Sequence, residues 1–488
     1  MKYYSTRNEE NKYTAAQAMA TGLAPDGGLF VPECIPTVTS GELKALCAKD
    51  YRGRAVDIMG RFLEEFSTEE LTDFVTHAYA ENYDDAAIAP LHFTDDTTAY
   101  LELWHGPTCA FKDMALQMLP YLLTASLKKT GEQREVCILV ATSGDTGKAA
   151  LEGFADVPST RIFVFYPDGG VSKIQRLQMV TQSGNNVGVS AVKGNFDDAQ
   201  TGVKKIFGDQ DFAAQISERG FFLSSANSIN WGRLLPQIVY YFSAYCDYVN
   251  SGKIAFGDKI NFCVPTGNFG NILAGWFAKQ MGLPVNRFLC ASNANNVLTD
   301  FIENGVYDKN RPFHLTISPS MDILVSSNLE RLLYMLCGDK TTAEYMQQLS
   351  ADGKYDVGEE TLSKIQSEFS AACCDDAATK AKIAAVWNEK AYLIDTHTGV
   401  AAAALDDYRA KTGDCTPTVI VSTASPFKFA ADVLSALGET AEEPLTALSE
   451  KCSLPVPKPL SGLDQREVRF GGVADKADMR SVVDGFLK

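Results

Sequence analysis

Apolar residues along this chain fall into short dense runs and longer helical patterns, and the two kinds alternate through most of its length. The short runs predict strands at 100–103, 136–141, 161–166, 187–192, 260–264, 288–291 and 419–422. The longer patterns predict helices at 113–129, 148–154, 234–250 and 271–280. Strands alternating with helices imply an α/β protein built on parallel sheets. A run as continuous as VCILVA suits a strand covered on both faces. Before about residue 95, helical patterns are interrupted by the turn-rich stretch LAPDGGLFVPECIP. Residues 315–390 read as mostly helical and polar, an insertion or covering layer, and the Pro-rich SLPVPKPLSGL opens a tail that wraps the surface.

A chain of 488 residues is too long for one compact core, so two or three domains are expected. No apolar run is long enough to span a bilayer, and the opening MKYYSTR lacks the apolar stretch of a secretory signal. A cytoplasmic protein is therefore expected. Most of the 12 cysteines stand singly in apolar surroundings, as do Cys137 and Cys263, and read as buried free thiols. The adjacent pair Cys373 and Cys374 lacks zinc-ligand spacing, and the five histidines are scattered, so no metal site is expected. A net charge of −17 argues against nucleic acid and anionic membrane as partners. An anionic substrate would need a local positive site.

Three segments at strand ends carry candidate chemistry, since ligands of open α/β sheets bind there. Thr142-Ser143-Gly144-Asp145-Thr146-Gly147 follows VCILVA and opens a helix. Its small residues would expose N–H groups to a carboxylate or phosphate, or would simply cap the helix. Thr266-Gly267-Asn268-Phe269-Gly270-Asn271 follows INFCVP. Its glycines would let backbone amides approach an anion, although a plain turn fits equally, and it is neither a Walker loop nor a GxGxxG fingerprint. His105-Gly106-Pro107-Thr108-Cys109-Ala110-Phe111-Lys112-Asp113 ends in a lysine at a helix start, where the positive field favours proton loss. That suits a Schiff-base lysine, while a surface lysine balanced by Asp113 is the plainer alternative.

In this order, HGPTCAFKD, TSGDTG and TGNFGN resemble the lysine, carboxylate and phosphate loops of fold-type II pyridoxal-phosphate enzymes. Their wording is most similar to the bacterial and fungal branch of threonine synthase. YYSTRNEENKYTAAQAMATGLAPDGGLFVPECIP, NFDDAQ, NSINWGRLLPQIVYYF, DTHTGVAAA and STASPFKF resemble segments of the same branch. The resemblance implies a tryptophan synthase β-like fold with two parallel-sheet subdomains and an additional N-terminal domain. It divides the chain into 1–95, a catalytic core at 96–445 with a small subdomain near 127–224, and a C-terminal segment at 446–488.

The resemblance also implies the cofactor, pyridoxal 5'-phosphate, and the residues around it. Lys112 matches the lysine that carries the cofactor, and Gly267, Asn268, Phe269, Gly270 and Asn271 match the loop that binds its phosphate. Thr423 matches the hydroxyl residue beside the pyridine nitrogen. Asp145 stands where related enzymes often carry asparagine near the cofactor's 3′-oxygen, and Ser425 stands where histidine is expected. Thr142, Ser143 and Thr146 fall in the loop that holds the substrate carboxylate. Asn227, Ser228 and Arg233 fall near the substrate phosphate, with Thr146 adding a hydroxyl. By composition alone, the same segment reads as an N-cap at Asn227 or Ser228 with Arg233 on a solvated face. The implied reaction converts O-phospho-L-homoserine and water into L-threonine and phosphate, in a monomer or homodimer. Allosteric activation by S-adenosylmethionine is not expected. The alternatives are another fold-type II activity such as threonine dehydratase, or a non-catalytic threonine-synthase-like protein that binds phosphorylated metabolites.

Overall fold

The computed structural model describes residues 1–488, apart from the side chain of residue 197. Its largest sheet has six strands in the order Phe369–Cys373, Val285–Ser292, Ile260–Pro265, Thr418–Ser422, Thr98–Glu102 and Leu91–Phe93. All pair in parallel except Leu91–Phe93, which runs antiparallel at the edge. Successive side chains of a strand point to opposite faces, and here both faces are buried. Phe262, Val264, Val419 and Val421 pack with helices Trp231–Asn250 and Gly270–Gln280, while Cys263, Leu289 and Ile420 pack with helix Thr396–Thr412.

A second sheet is wholly parallel, in the order Val473–Ala474, Val187–Val192, Thr160–Pro167, Glu135–Ala141 and Phe221–Ser224. Val136, Ile138 and Val140 meet helices Asp145–Phe154 and Lys173–Val180. Cys137 and Leu139, on the other face, meet helices Phe196–Gly208, Gln210–Glu218 and Met479–Phe486. The C-terminal segment thus supplies both an edge strand and a covering helix.

Residues before 91 form a small antiparallel sheet of Asn8–Tyr13, Tyr3–Ser5 and Phe30–Pro32, with four helices. This region shares its core with the main sheet. Trp231, fully buried, contacts Tyr3, Phe62 and Phe277 with ring centroids 5.6, 5.7 and 5.5 Å away. Truncating such a residue typically costs about 3–5 kcal/mol, which makes this contact a major tie between the two regions.

Three expectations need correction. The segment 315–390 is not merely a covering layer, because Phe369–Cys373 completes the edge of the main sheet. Phe221–Ser224, not anticipated, adds an edge to the second sheet. The helix expected over 113–129 is two helices, Asp113–Leu116 and Leu119–Thr130. Pro120 has no N–H to give to the carbonyl of residue 116, so the chain restarts there with proline in its first turn. The cysteines are free thiols, with Cys137 and Cys263 buried in strands and Cys34, Cys373 and Cys415 exposed. Among the described residues, no helix is long and apolar enough to cross a membrane.

Candidate active site

The three small-residue loops converge at the carboxyl ends of the two sheets. In the lysine loop, Thr108 donates from N and Oγ1 to the two carboxylate oxygens of Asp113, at 2.8 and 2.6 Å. A Cβ at Gly106 would lie 2.7 Å from Asp113, so glycine is required for that closure. Asp113 therefore ties the loop shut and does not balance Lys112, as the plainer sequence reading had it. Burial pushes its carboxyl up to about 6, against the pull of the Thr108 donors. Phe111 N donates to Thr423 O at 2.8 Å and Ser425 N to Cys109 O at 3.1 Å, which hold Thr423 alongside the lysine. Ser425 Oγ also accepts from Phe427 N at 3.4 Å, capping a short 3-10 turn at Pro426–Phe429.

Lys112 is buried, with Nζ 3.1 Å from Ser320 Oγ and 3.5 Å from Asp145 Oδ2. Burial lowers its pKa below the usual lysine range. Asp145 opposes that shift, and the positive charges of Lys428 and Arg233 add to it.

The TSGDTG loop is shaped by its own threonine. Thr142 Oγ1 accepts from Gly144 N at 3.0 Å and Gly147 N at 2.9 Å, leaving the hydroxyl proton free to donate. Gly144 sits at φ 134°, and a Cβ there would lie 2.4 Å from Gln175 Cδ. Ser143 and Thr146 are half-buried at the loop's rim. Asp145 is buried and crowded with donors. Gln175 Nε2 reaches Oδ1 at 3.0 Å, Lys428 Nζ reaches Oδ1 at 3.0 Å, and Ser320 Oγ reaches Oδ2 at 3.1 Å. Burial alone would raise this carboxyl, but Lys428, Lys112 and Gln175 hold it far below the usual carboxylate range.

In the TGNFGN loop, Phe269 adopts the left-handed conformation, φ 61°, and turns the chain into helix Gly270–Gln280. The loop runs into that helix start and contains no basic side chain. A Cβ at Gly267 would meet Ser320 O at 2.6 Å. Asn271 is clamped by Tyr240 and Tyr241, whose hydroxyls donate to its Oδ1 at 2.6 and 2.7 Å. Its Nδ2 is buried without a partner. Asn268 is exposed, and its carbonyl accepts from Asn328 N and Nδ2, each at 3.0 Å.

The NSINWGR segment borders this loop. Ser228 Oγ is 3.5 Å from Ser327 Oγ, which donates to Asn268 Oδ1 at 3.4 Å. Asn227 is half-buried beside it. The helix cap is neither Asn227 nor Ser228 but Asn230, whose side chain accepts from Gly232 N at 2.9 Å. Nor is Arg233 on a solvated face. It is buried, donates from Nη1 to Ala226 O at 2.7 Å, and leaves Nε without a partner. Among the described residues it forms no salt bridge, and burial pushes it down to about 10.

Several groups here were not anticipated as site residues. Lys428 and His397 lie in the segments STASPFKF and DTHTGVAAA, but nothing local shows where they point. His397 Nδ1 donates to Asp395 Oδ2 at 2.7 Å and its Nε2 accepts from Ser320 N at 3.2 Å, which fixes Ser320 against Lys112. Gln175 and Ser320 carry no local signal. Arg331 is fully buried and donates from Nε to Phe30 O at 2.9 Å, and from its Nη atoms to Asn328 Oδ1 and Ile229 O. One guanidinium thus joins the N-terminal sheet, the TGNFGN loop through Asn328, and the NSINWGR segment.

Known proteins resemble this chain in sequence and fold. Residues 2–79 match the family described as "Threonine synthase N terminus", residues 98–424 "Pyridoxal-phosphate dependent enzyme", and residues 398–483 "Threonine synthase, C-terminal". Threonine synthase-like 1 of Homo sapiens is 40% identical over 457 residues, which cover 90% of this chain and 61% of that protein. The chain therefore spans less than two thirds of that relative's length. Threonine synthase of Pseudomonas aeruginosa is 39% identical over 432 residues, 88% of this chain and 89% of its own. The crystal structure of pyridoxal-phosphate-bound threonine synthase from Brucella melitensis superposes with a TM-score of 0.89 at 37% identity, covering 100% of this chain and 98% of that one.

Proposed function

The chain belongs to the threonine synthase family of fold-type II pyridoxal-phosphate-dependent enzymes, and on that premise we propose that it converts O-phospho-L-homoserine and water into L-threonine and phosphate. The residues present fit the cofactor. Lys112 offers a buried amine with a lowered pKa, and Asn271 Nδ2 is an unpartnered donor at the head of helix Gly270–Gln280. In this reading Lys112 carries pyridoxal phosphate, and the amides of Gly267, Asn268, Phe269, Gly270 and Asn271 hold its phosphate. Asp145 and Thr423 flank the ring. Bound there, the cofactor supplies an electron sink for negative charge at the substrate Cα.

The protein's own groups supply the rest. Lys112 Nζ, disfavoured from charging by burial, takes protons from Cα and then Cβ, and gives protons back to Cγ, which becomes the methyl, and to Cα, while the proton left over from the added water goes to the departing phosphate. The free hydroxyl proton of Thr142, with Ser143 and Thr146, orients the substrate carboxylate. Arg233, with Asn227 and Ser228, binds the substrate phosphate and receives its growing charge as it leaves Cγ. Water then adds at Cβ, in a site walled by Phe111 and the Ser320 turn.

One observation carries the reading: Arg233 is buried with Nε unpartnered and, among the described residues, no salt bridge, in the same protein as a buried lysine amine at a helix start. Such a pair fits a substrate that carries both an α-amine, to exchange with Lys112, and a phosphate dianion, to meet the guanidinium. Incubation with O-phospho-L-homoserine should release phosphate and threonine in equal amounts. Release of ammonia and a keto acid instead would assign a dehydratase-type activity.

The 40% identity to threonine synthase-like 1 motivates a second reading, a relative that binds phosphorylated metabolites without turning them over. Saturable binding of O-phospho-L-homoserine with no product from either route would favour it.

A further inference from the structure

Asp145 faces two ammonium groups that differ in kind. Lys112 lies 3.5 Å from Oδ2, and its amine is the reacting group in the function proposed above, on which this inference rests. Its charge changes whenever its bonds change. Lys428 lies 3.0 Å from Oδ1, is wholly shielded from water, and is otherwise held by the Thr108 carbonyl at 2.8 Å. A carbonyl cannot take up its charge, so Asp145 is its only ionic partner among the described residues.

The orientation of Gln175 shows in which state the site holds Asp145. Its Oε1 accepts from Ser172 N at 3.1 Å in a capping box, which turns Nε2 toward Asp145 Oδ1. With Gln175 donating to Oδ1, Ser320 to Oδ2 and the Lys428 ammonium beside Oδ1, the carboxylate is an acceptor on both oxygens. Asparagine at position 145 would present two donors to this set and could satisfy it with one oxygen only. The other titratable groups facing the pair are His397 from helix Thr396–Thr412, Arg233 from helix Trp231–Asn250, and Asp113 behind Thr108.

We propose that Lys428 is a positioning residue, the permanent counter-charge that keeps Asp145 ionised and aimed at Lys112 Nζ whatever charge Lys112 itself carries. Without Lys428, Asp145 would have only Lys112 to balance it and would draw positive charge onto that nitrogen. Lys428 therefore sets the pH at which the cofactor-bearing nitrogen loses its proton, without touching that nitrogen.

The test uses cofactor-loaded enzyme and reads absorbance against pH, with cofactor affinity by equilibrium dialysis. Lys428→Met should move the spectral transition up by about one pH unit or more, and weaken cofactor retention by about tenfold. Lys428→Arg should move it little. Adding Asp145→Asn to Lys428→Met, so that neither charge is left alone, should bring the transition back toward the wild-type position. A Lys428→Met transition at the wild-type pH would overturn the proposal. If Lys428→Met fails to fold, the double variant decides: recovery supports the pairing, and a second collapse assigns Lys428 to packing alone and overturns it. Borohydride reduction of the wild type and peptide mapping test the underlying reading separately. Label on another lysine sinks that reading, whereas label on Lys112 with an unmoved transition sinks only the role of Lys428.

Discussion

Lys428 and Arg233 are both cationic and both buried, yet their surroundings are opposite. Lys428 has a carboxylate at 3.0 Å. Arg233 has a single carbonyl at 2.7 Å and an Nε with nothing to bind. Removing a charge from water costs several kcal/mol, so a buried cation is normally matched inside the protein. A region that matches its charges is finished machinery, while one that leaves a charge unmatched is built around something that arrives. On the function proposed above, the difference would separate the part of the site that holds a resident group from the part that meets a transient anion.

The comparison breaks most severely at Lys112. Lys112→Ala removes the amine that Asp145 and Ser320 hold, and should lower kcat by about a thousandfold or more. Single-turnover and steady-state assays with O-phospho-L-homoserine check it, and a loss under tenfold would move the chemistry to another group.

Arg233→Ala addresses the unmatched side. A lost charge-assisted contact costs about 1.5–3 kcal/mol, so kcat/KM should fall by about one to two decades. The cofactor's absorbance should not change, since the matched centre is intact. Inorganic phosphate should raise the wild-type Tm and leave that of Arg233→Ala where it was. Equal protection of both proteins would place the anion elsewhere.

Glycines of the TGNFGN loop sharpen the same boundary. A Cβ at Gly267 meets backbone, Ser320 O at 2.6 Å, whereas one at Gly270 meets the Asn328 side chain at 3.3 Å. Gly267→Ala should therefore cost roughly 1–3 kcal/mol of stability and disturb Ser320, while Gly270→Ala costs less. Thermal melts of both variants make the comparison, and a milder Gly267→Ala would mean the loop yields more readily than its contacts imply.

The smallest effect is a matched charge outside the centre. Burial alone would lower the pKa of His105, but Asp84 at 2.5 Å and Glu102 at 2.8 Å hold it up to about 9. An unperturbed histidine titrates near pH 6.5. The stability this cluster adds is thus fully present below about 6.5 and is lost as pH rises through about 9. Tm measured from pH 6 to 10 should fall less steeply for His105→Asn than for the wild type, and parallel curves would remove His105 as the cause.

Much of the fold is legible in the sequence because seven strands are mostly apolar runs, largely buried on both faces. Phe221–Ser224 and Phe369–Cys373 escape notice because each is an edge strand of four or five residues, only partly buried. Asn8–Tyr13 is hidden by composition, since NEENKY is polar throughout and mostly exposed. The site divides the same way. Loops with several small residues announce themselves locally, but Ser320 meets Asp145 across 175 positions and Lys428 meets Thr108 across 320. A lysine among Pro, Phe and Phe gives no local sign of the carboxylate it will face. What Asp145 does cannot be read from TSGDTG alone, because its character comes from partners on other elements.

The buried Arg331 also has a consequence for how the chain is made. Phe30 leaves the ribosome 301 residues ahead of the guanidinium that bonds its carbonyl, and Ile229 leaves 102 residues ahead. Phe30 thus waits through more than half of synthesis, and Ile229 through about a fifth, for that side chain. A nascent chain ending before position 331 holds the whole N-terminal sheet, Lys112 and the NSINWGR segment, yet lacks the group that joins them. The joint that Arg331 makes is thereby deferred until the polypeptide is about two-thirds translated, so a prematurely released fragment, however well its early parts fold, leaves the N-terminal sheet, the TGNFGN loop and the NSINWGR segment untied.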